Sequence, residues 1–272
     1  MSKLPRYFSP LLAIALYAFP SLSQVSVIGE LTQEKEVQPG DRYDGTILVK
    51  NDTEVPQEAK VYQTDYLFKC DGTNEYGEPG SAPRSNARWI SFSPTHITLP
   101  PLASVEVSYR VTVPQDSGSH HLIGTYWSML MVEGIAREAP GSSPERKKGE
   151  MGIRQTIRYG IQIVSRIAQT GTKRIDFLDS KLVSNPEGGK ILQVDVANTG
   201  DIGVRPEMYA ELFDEKGASQ GKFPGVLYRI YPGTSVRQMI DLSTVSPGTY
   251  KVLVVVDTGD NDVYGAQYTL KF

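Results

Sequence analysis

Three acidic residues near the end of the chain have the types and the spacing that could bind a cation. Asp257, Asp260 and Asp262 lie in one short stretch. Ca²⁺ takes several oxygen ligands from a flexible loop of this kind. The spacing matches no known calcium loop, however, and no glutamate closes the stretch as a bidentate ligand. A turn between two strands is therefore the favoured interpretation, and we expect neither a metal ion nor another cofactor.

The same stretch contains a motif that could be catalytic. Asp257-Thr258-Gly259 follows an apolar run of three valines, and this resembles the strand and turn of aspartic proteases, in which two such turns share a water. In that family Ser or Ala comes next, whereas here Asp260 follows and no second copy exists. A hairpin turn is the better interpretation.

The remaining reactive side chains favour no enzyme class. His120 and His121 are adjacent, so on a strand they face opposite ways and cannot share a metal, and His96 lies in a predicted turn. No serine or cysteine lies in a nucleophile motif. Cys70 is the single cysteine, which excludes an intramolecular disulfide. We therefore predict no catalytic residue and a chain that is not an enzyme.

Residues 1–23 have the layout of a secretory signal peptide. Lys3 and Arg6 precede an apolar run at 11–19, and small residues at Ser21 and Ser23 follow it. The run is shorter than the roughly 20 residues that cross a bilayer comfortably. We expect cleavage before Gln24 and a periplasmic or secreted protein, with an uncleaved anchor as the alternative. No later transmembrane segment is predicted, and the net charge of −3, with scattered basic residues, excludes nucleic acid as a partner.

The mature chain has the pattern of an all-β protein. Val105, Val107, Tyr109, Val111 and Val113 alternate with polar residues, as in a strand with one face in a core. Turns rich in Gly, Pro and Asn separate many short runs of this kind. We predict two immunoglobulin-like β-sandwich domains in tandem, at residues 24–168 and 169–272, with a short linker and a cleft between them.

Individual strands can also be predicted. The first domain is expected to open with one strand at 25–37 and to contain an exposed loop at 70–87. The predicted strands of the second domain span residues 174–183, 190–198, 207–214, 225–231, 235–242, 249–257 and 263–272.

One strand of the first domain is predicted to be an edge. Residues 134–150 are polar and charged, which is typical of a mobile, protease-sensitive loop. The strand at 154–164 follows it and carries Ile157, Tyr159, Ile161 and Ile163 on one face. We expect these apolar side chains to be partly exposed, so that another chain can pair with this strand.

The first domain resembles the N-terminal domain of periplasmic pilus-assembly chaperones of the PapD-like type. The resemblance covers roughly residues 25–167. The motifs that carry it are Leu48-Val49-Lys50-Asn51, Ala59-Lys60-Val61, Trp89-Ile90-Ser91-Phe92-Ser93-Pro94, Ile97-Thr98-Leu99-Pro100-Pro101, Ser104-Val105-Glu106-Val107, Val113-Pro114 and Gly124-Thr125-Tyr126-Trp127. Each is also compatible with any immunoglobulin-like strand or turn.

The resemblance implies a partner and a way of binding it. In that family an edge strand donates alternating apolar side chains to an incomplete subunit. Two basic residues in the interdomain cleft hold the terminal carboxylate of the subunit. The partner would be an exported surface or pilus-type subunit. Residues 25–31 contain no basic residue, and Arg154, Arg158 and Arg166 are alternative candidates for the second cleft position.

Two alternatives remain open at the level of sequence. The same pattern is similar to WxL-interacting surface proteins, whose immunoglobulin-like units bind cell-wall-associated partners. Tyr62, Tyr66, Tyr126 and Trp127 could also form an aromatic platform for sugar. A periplasmic or surface scaffold with cell-wall or glycan contact is therefore the second hypothesis.

Overall fold

A computed structural model describes residues 25–116, 121–135 and 156–272. Within these ranges the chain forms seventeen strands and one short 3₁₀ turn at Ala87–Trp89. The strands of the first part are β1 (Val25–Ile28), β2 (Thr32–Val37), β3 (Arg42–Asn51), β4 (Gln57–Phe68), β5 (Asn74–Gly77), β6 (Ile90–Ser93), β7 (His96–Leu99), β8 (Ser104–Thr112), β9 (Thr125–Ile135) and β10 (Arg158–Ile167). Those of the second part are β11 (Ile175–Ser184), β12 (Lys190–Asn198), β13 (Glu207–Phe213), β14 (Ser219–Pro224), β15 (Ser235–Asp241), β16 (Thr249–Asp257) and β17 (Val263–Lys271).

The first ten strands make one immunoglobulin-like sandwich. One sheet has the order β1-β3-β8-β6, and the other has the order β2-β10-β9-β4-β5 with β7 paired to β4. Alternate residues of each strand point between the sheets, and those of β8 form the predicted apolar face, with Val107 and Val111 fully buried. The prediction of an all-β sandwich is confirmed.

The opening segment is two strands instead of the predicted one. β1 pairs antiparallel with β3, while β2 pairs parallel with β10 in the opposite sheet. The chain changes sheets at Gly29, whose φ of +104° is a conformation that few residues other than glycine adopt. The imperfect alternation of residues 25–37 therefore reflects a crossing between sheets.

The predicted loop at 70–87 also contains structure. β5 returns along the end of β4, with Tyr66 opposite Tyr76, so β4 and β5 form a hairpin that extends beyond the sandwich. The loop at the end of this hairpin reaches the second set of strands, where the main-chain N–H of Cys70 donates to the Ser235 hydroxyl at 2.9 Å.

The last seven strands make a second sandwich. Its sheets have the orders β11-β12-β15 and β14-β13-β16-β17, and its core includes the fully buried Leu192, Leu212 and Val254. One predicted strand is wrong: residues 225–231 are irregular, and the strand lies at β14 instead. The side chain of Gln238 bonds both the N–H and the C=O of Val226, at 2.9 and 2.8 Å, in place of a neighbouring strand.

Several predictions fall outside the described residues. They are the signal peptide at 1–23, most of the loop at 134–150, and Arg154. The first residues of that loop belong to β9, which continues to Ile135. No helix in the described part of the chain is both long and apolar enough to cross a membrane.

The inward position of Ile161 gives a test of the first core. Its side chain is fully buried between the sheets, so Ile161→Ala should lower the free energy of unfolding of this sandwich by about 2–5 kcal/mol. Urea denaturation measures this change. Leu178→Ala, at an exposed position, is the control and should change stability by less than about 0.5 kcal/mol; equal effects of the two changes would contradict the packing.

Candidate partner-binding site

Part of β10 is an open sheet edge. Residues 162–167 lie between β9 and β2 and pair with both. Residues 158–161 pair with β9, and no described strand pairs with them on the other side. The prediction of an edge strand is therefore correct for the first part of β10 and wrong for the second.

The open edge offers main-chain groups at two residues. The N–H of Gln162 donates to the Leu31 carbonyl at 2.8 Å, so its main chain points to the β2 side. Successive residues of a strand direct these groups to opposite sides. The N–H and C=O of Arg158 and Gly160 therefore point outward, along the line where β2 has not yet begun.

The side chains of the predicted donor face point into the protein itself. Ile161 and Ile163 are 0% exposed and belong to the first core, and Tyr159 is half-buried against it. Ile157 lies just before β10 and is also half-buried. The expected exposure is therefore wrong for Ile161 and Ile163, because their face of β10 is the inner face of the sandwich. Their role in partner binding remains a prediction.

Arg158 lies on the outer face in a local charge cluster. Its Nε is 2.9 Å from Glu133, and Lys60 is 3.4 Å from the same carboxylate. The Tyr62 hydroxyl also donates to Glu133, at 3.0 Å, and burial together with this carboxylate raises the pKa of Tyr62. The ion pair with Glu133 therefore holds the guanidinium of Arg158 beside the open edge.

The two sandwiches meet in a tight joint around Asp201. Its carboxylate accepts from Arg84 at 2.5 Å, and its carbonyl accepts from the main chain of Thr125 at 2.8 Å. A Cβ on Gly124 would lie 2.1 Å from that carbonyl oxygen, so the close approach requires glycine, whose φ here is +70°. Linker residue Thr172 also donates to the Asp201 carboxylate. The joint connects both sandwiches and the linker.

A stacked aromatic pair lies beside this joint. The Tyr231 ring is stacked on Trp127, with ring centroids 4.6 Å apart and planes 13° from parallel. Both side chains are buried, in one cluster with Val164. The Tyr231 hydroxyl then donates to Oε1 of Gln162 at 2.7 Å. A residue of the second sandwich thus packs on the outer face of the first and holds a side chain of β10.

The cleft between the sandwiches contains a cavity of about 600 Å³. Its floor is formed by Thr32 of β2, Gln162 of β10 and Tyr231. Its walls come from the end of the β4–β5 hairpin and from the second sandwich; they include Tyr66, Phe68, Lys69, Tyr228, Arg229 and Arg237.

Two of the three cations in the cavity are paired with carboxylates. Arg237 binds Asp195 through two bonds of 2.7 Å, and Arg229 binds Glu34. The ammonium of Lys69 donates to the Gly233 carbonyl at 2.6 Å. Most of the positive charge in the cavity is therefore neutralised within the protein.

Neither Arg158 nor Arg166, the two described arginines among those proposed for the cleft, lines this cavity. Arg158 binds Glu133, as described, and Arg166 binds Glu36. The cavity residues from β2 and β10 are Thr32 and Gln162, both uncharged. Alternation along β10 placed Gln162 on the outer face, but only the tertiary structure shows that Lys69, Arg229 and Arg237 converge there.

The acidic turn after β16 binds the side chain of a lysine from the linker. The Lys173 ammonium lies 2.9 Å from Asp260 and 3.7 Å from Asp262, and it donates to the carbonyls of Thr258 and Gly259. This bond to Lys173 also lowers the pKa of Asp260. Two of the three carboxylates considered for Ca²⁺, those of Asp260 and Asp262, thus anchor the linker to the second sandwich.

The residues of the proposed aromatic platform lie in separate environments. Trp127 is buried under Tyr231, and Tyr126 packs on Trp89. Tyr66 instead packs on Tyr76, with ring centroids 5.0 Å apart. The four predicted residues therefore do not form one surface.

Comparison with known proteins gives matches among solved structures. No protein-family model matches the sequence, and no curated protein matches it significantly. Solved structures similar to this chain include several fimbrial chaperones, the class to which the sequence motifs pointed. One is a chain of a chaperone–tip adhesin complex of CFA/I fimbriae biogenesis, with 12% identity over 91% of this chain and 98% of that chain and a TM-score of 0.47. The YadV chaperone has 11% identity over 91% and 100%, with a TM-score of 0.45. A chain of the Salmonella enterica SafA pilin–SafB chaperone complex has 14% identity over 92% and 97%, with a TM-score of 0.40.

The joint predicts a fixed angle between the sandwiches. Asp201→Ala removes the acceptor of Arg84 and Thr172, so the two sandwiches should sample a wider range of angles. Small-angle X-ray scattering should then show a larger radius of gyration. The control is Asp241→Ala, because that carboxylate binds Ser243 of its own turn; the joint would be refuted if both variants scattered like the parent.

The Asp195–Arg237 pair predicts a pH dependence. The hydrogen bonds from Arg237 hold the pKa of Asp195 below its ordinary value of 3.8. A lowered pKa in the folded state stabilises the fold above the ordinary value, and this stability is lost as the pH falls through the folded-state pKa. The difference in unfolding free energy between the parent and Asp195→Asn should be constant above about pH 5 and shrink below about pH 4. Urea melts across this range measure it, with the exposed Glu207→Gln as control.

Proposed function

We propose that this chain is an exported, non-enzymatic assembly chaperone that binds a surface or pilus-type subunit. The subunit adds one of its strands to the open edge of β10 at residues 158–161. The observation that carries the proposal is the set of outward N–H and C=O groups at Arg158 and Gly160, at the end of β2 and beside the cleft.

The energetics of sheet edges support this proposal. Native proteins usually protect an edge with proline, a bulge, a short strand or a covering segment, because unpaired main-chain groups pair readily with other chains. Here β2 begins at Thr32 and covers the edge of β10 only from Gln162 onward, which leaves residues 158–161 uncovered by β2. An added strand would gain main-chain hydrogen bonds without any rearrangement of β9 or β2.

The surroundings of the edge would supply specificity. Ile161 and Ile163 are occupied by the core of the first sandwich, so an added strand would contact the outward face at Arg158 and Gly160. Beyond them the strand would enter the cleft at Gln162. The predicted residues Arg158 and Tyr159 thus keep a place in the proposed site, and the sequence resemblance to pilus-assembly chaperones supports the same mode of binding.

One observation favours a second candidate function. Tyr76 is 61% exposed and packs on Tyr66 at the surface of the β4–β5 hairpin. Exposed aromatic faces of this kind stack well on sugar rings. A scaffold that binds glycan through this pair is therefore the alternative, and Tyr76→Ala should weaken glycan binding while it leaves capture of a subunit unchanged.

A proline at Arg158 tests the edge directly. The N–H of this residue points away from β9, so Arg158→Pro removes an outward donor and no bond of the existing sheet. The variant should melt within a few degrees of the parent and lose capture of envelope proteins from the source cells, as measured by pull-down and mass spectrometry.

The matched control is Arg158→Ala, which loses the ion pair with Glu133 but keeps the N–H. Because its outward N–H remains available to an added strand, it should still capture the subunit, with an affinity lowered only by the loss of the side-chain contact. If Arg158→Pro is folded and captures the same proteins as well, residues 158–161 are not the binding edge, and the proposal fails.

A further inference from the structure

The open edge of β10 leads directly into the cleft cavity. Gln162 is the next residue after the edge, and its side chain lines the cavity. A partner strand that pairs with residues 158–161 would therefore present its next groups to Gln162. The chemistry of this side chain determines what the cleft can receive.

The amide of Gln162 is oriented by two hydroxyl groups. Oε1 accepts from Tyr231 at 2.7 Å and from Thr32 at 3.2 Å. Gln162 lines the cavity, and its amide nitrogen, which carries two N–H donors, makes no hydrogen bond to another described residue. Gln162 thus offers the cavity a fixed donor that carries no charge.

The charged groups around the cavity disfavour a buried anion. The guanidinium groups of Arg229 and Arg237 already bind Glu34 and Asp195. An incoming carboxylate would have to compete with these two carboxylates and would be repelled by them. Lys69, the remaining cation, is solvent-exposed and already donates to the Gly233 carbonyl, so water screens its attraction for an anion. Burying an anion without a close counter-charge is costly, whereas an amide carbonyl that accepts one hydrogen bond is buried at little cost.

We infer that the cleft binds an uncharged acceptor of the partner, a main-chain carbonyl or a side-chain amide, on the Gln162 amide, and not a terminal carboxylate. This inference rests on the proposed function, because the same added strand carries the acceptor into the cleft. Because β2 occupies the edge of β10 from Gln162 onward, the partner segment would leave the sheet edge there and continue over the outer face into the cleft. Tyr66, Phe68 and Tyr228 in the cavity wall provide apolar contacts for its side chains.

Two peptides distinguish the alternatives. Both are short, acetylated sequences of alternating Val and Thr, and they differ only in ending with a free carboxylate or a carboxamide. Each is titrated into the ¹⁵N-labelled mature chain, and NMR follows the main-chain amides of residues 158–161 and the side-chain amide of Gln162. We expect both peptides to shift both sets of signals, with affinities that agree within about twofold.

Variants then assign the interaction to Gln162. Gln162→Leu should lower the affinity for both peptides about tenfold, which corresponds to about 1.4 kcal/mol of binding free energy. Gln162→Glu keeps the acceptor for Tyr231 and Thr32 but loses the N–H donors, so it should also weaken both, and the carboxylate peptide more. Lys69→Met and the control Gln220→Leu, an exposed residue of β14, should leave both affinities unchanged. Thermal melts verify that each variant is folded.

The outcomes separate this inference from the proposed function. If the carboxylate peptide binds at least tenfold more tightly than the carboxamide peptide, and Lys69→Met abolishes this preference, the cleft captures a carboxylate. This result would overturn the inference but leave the proposed function intact. Shifts at residues 158–161 without a shift of the Gln162 amide would also overturn it alone. If neither set of signals moves with either peptide, the edge does not bind strands, and the proposed function fails together with the inference.

Discussion

The burial of Tyr231 is the interaction on which the relation between the two sandwiches depends. This residue lies in an irregular segment of the second sandwich, yet its side chain is fully buried on Trp127 of the first. Burial of a large aromatic side chain contributes about 1.5–3 kcal/mol of stability. Because Tyr231 is buried against the first sandwich, this contribution is lost if the two sandwiches separate. Burial also raises the pKa of Tyr231, so its hydroxyl remains protonated and continues to donate to Gln162. This side chain therefore acts together with the Asp201 joint to set the angle between the sandwiches, and it orients the side chain of Gln162 in the cleft.

The crossing of the opening segment between sheets limits the length of the open edge. Had the chain continued along β3 after Gly29, β10 would have no neighbour beyond β9 over its whole length. Because β2 joins β10 only from Thr32 onward, the far half of β10 is closed and the near half is open. The same short strand carries Glu34, which binds Arg229 of the second sandwich. The position where β2 begins thus determines both the length of the edge and part of the cleft wall.

The sequence predicts the sandwiches well because the alternation of apolar and polar residues along a strand indicates which side chains face a core. The predicted bounds of β12 and β16 agree with the structure, and the inward residues of β8 are those expected. Alternation does not record which sheet a strand joins, so the crossing at Gly29 was missed. Nor does it distinguish a strand from an irregular apolar segment: residues 225–231 have strand-like composition, but the side chain of Gln238 takes the place of a paired strand there.

The candidate site could be predicted only in part, for a related reason. The alternating face of Ile161 and Ile163 was interpreted as a surface for a partner, but a period of two is what the core of the sandwich itself requires. Whether the main chain beside that face is paired depends on β2, which is distant in sequence. Likewise, the resemblance to pilus-assembly chaperones implied basic residues in the cleft, with arginines at or near β10 as candidates, whereas the residue of β10 that lines the cavity is the uncharged Gln162. The cations of the cavity come from segments that are distant in sequence. In the proposed mode of binding, an added strand would meet the outward face of the edge and the cleft, because the inward face of β10 is occupied by the core.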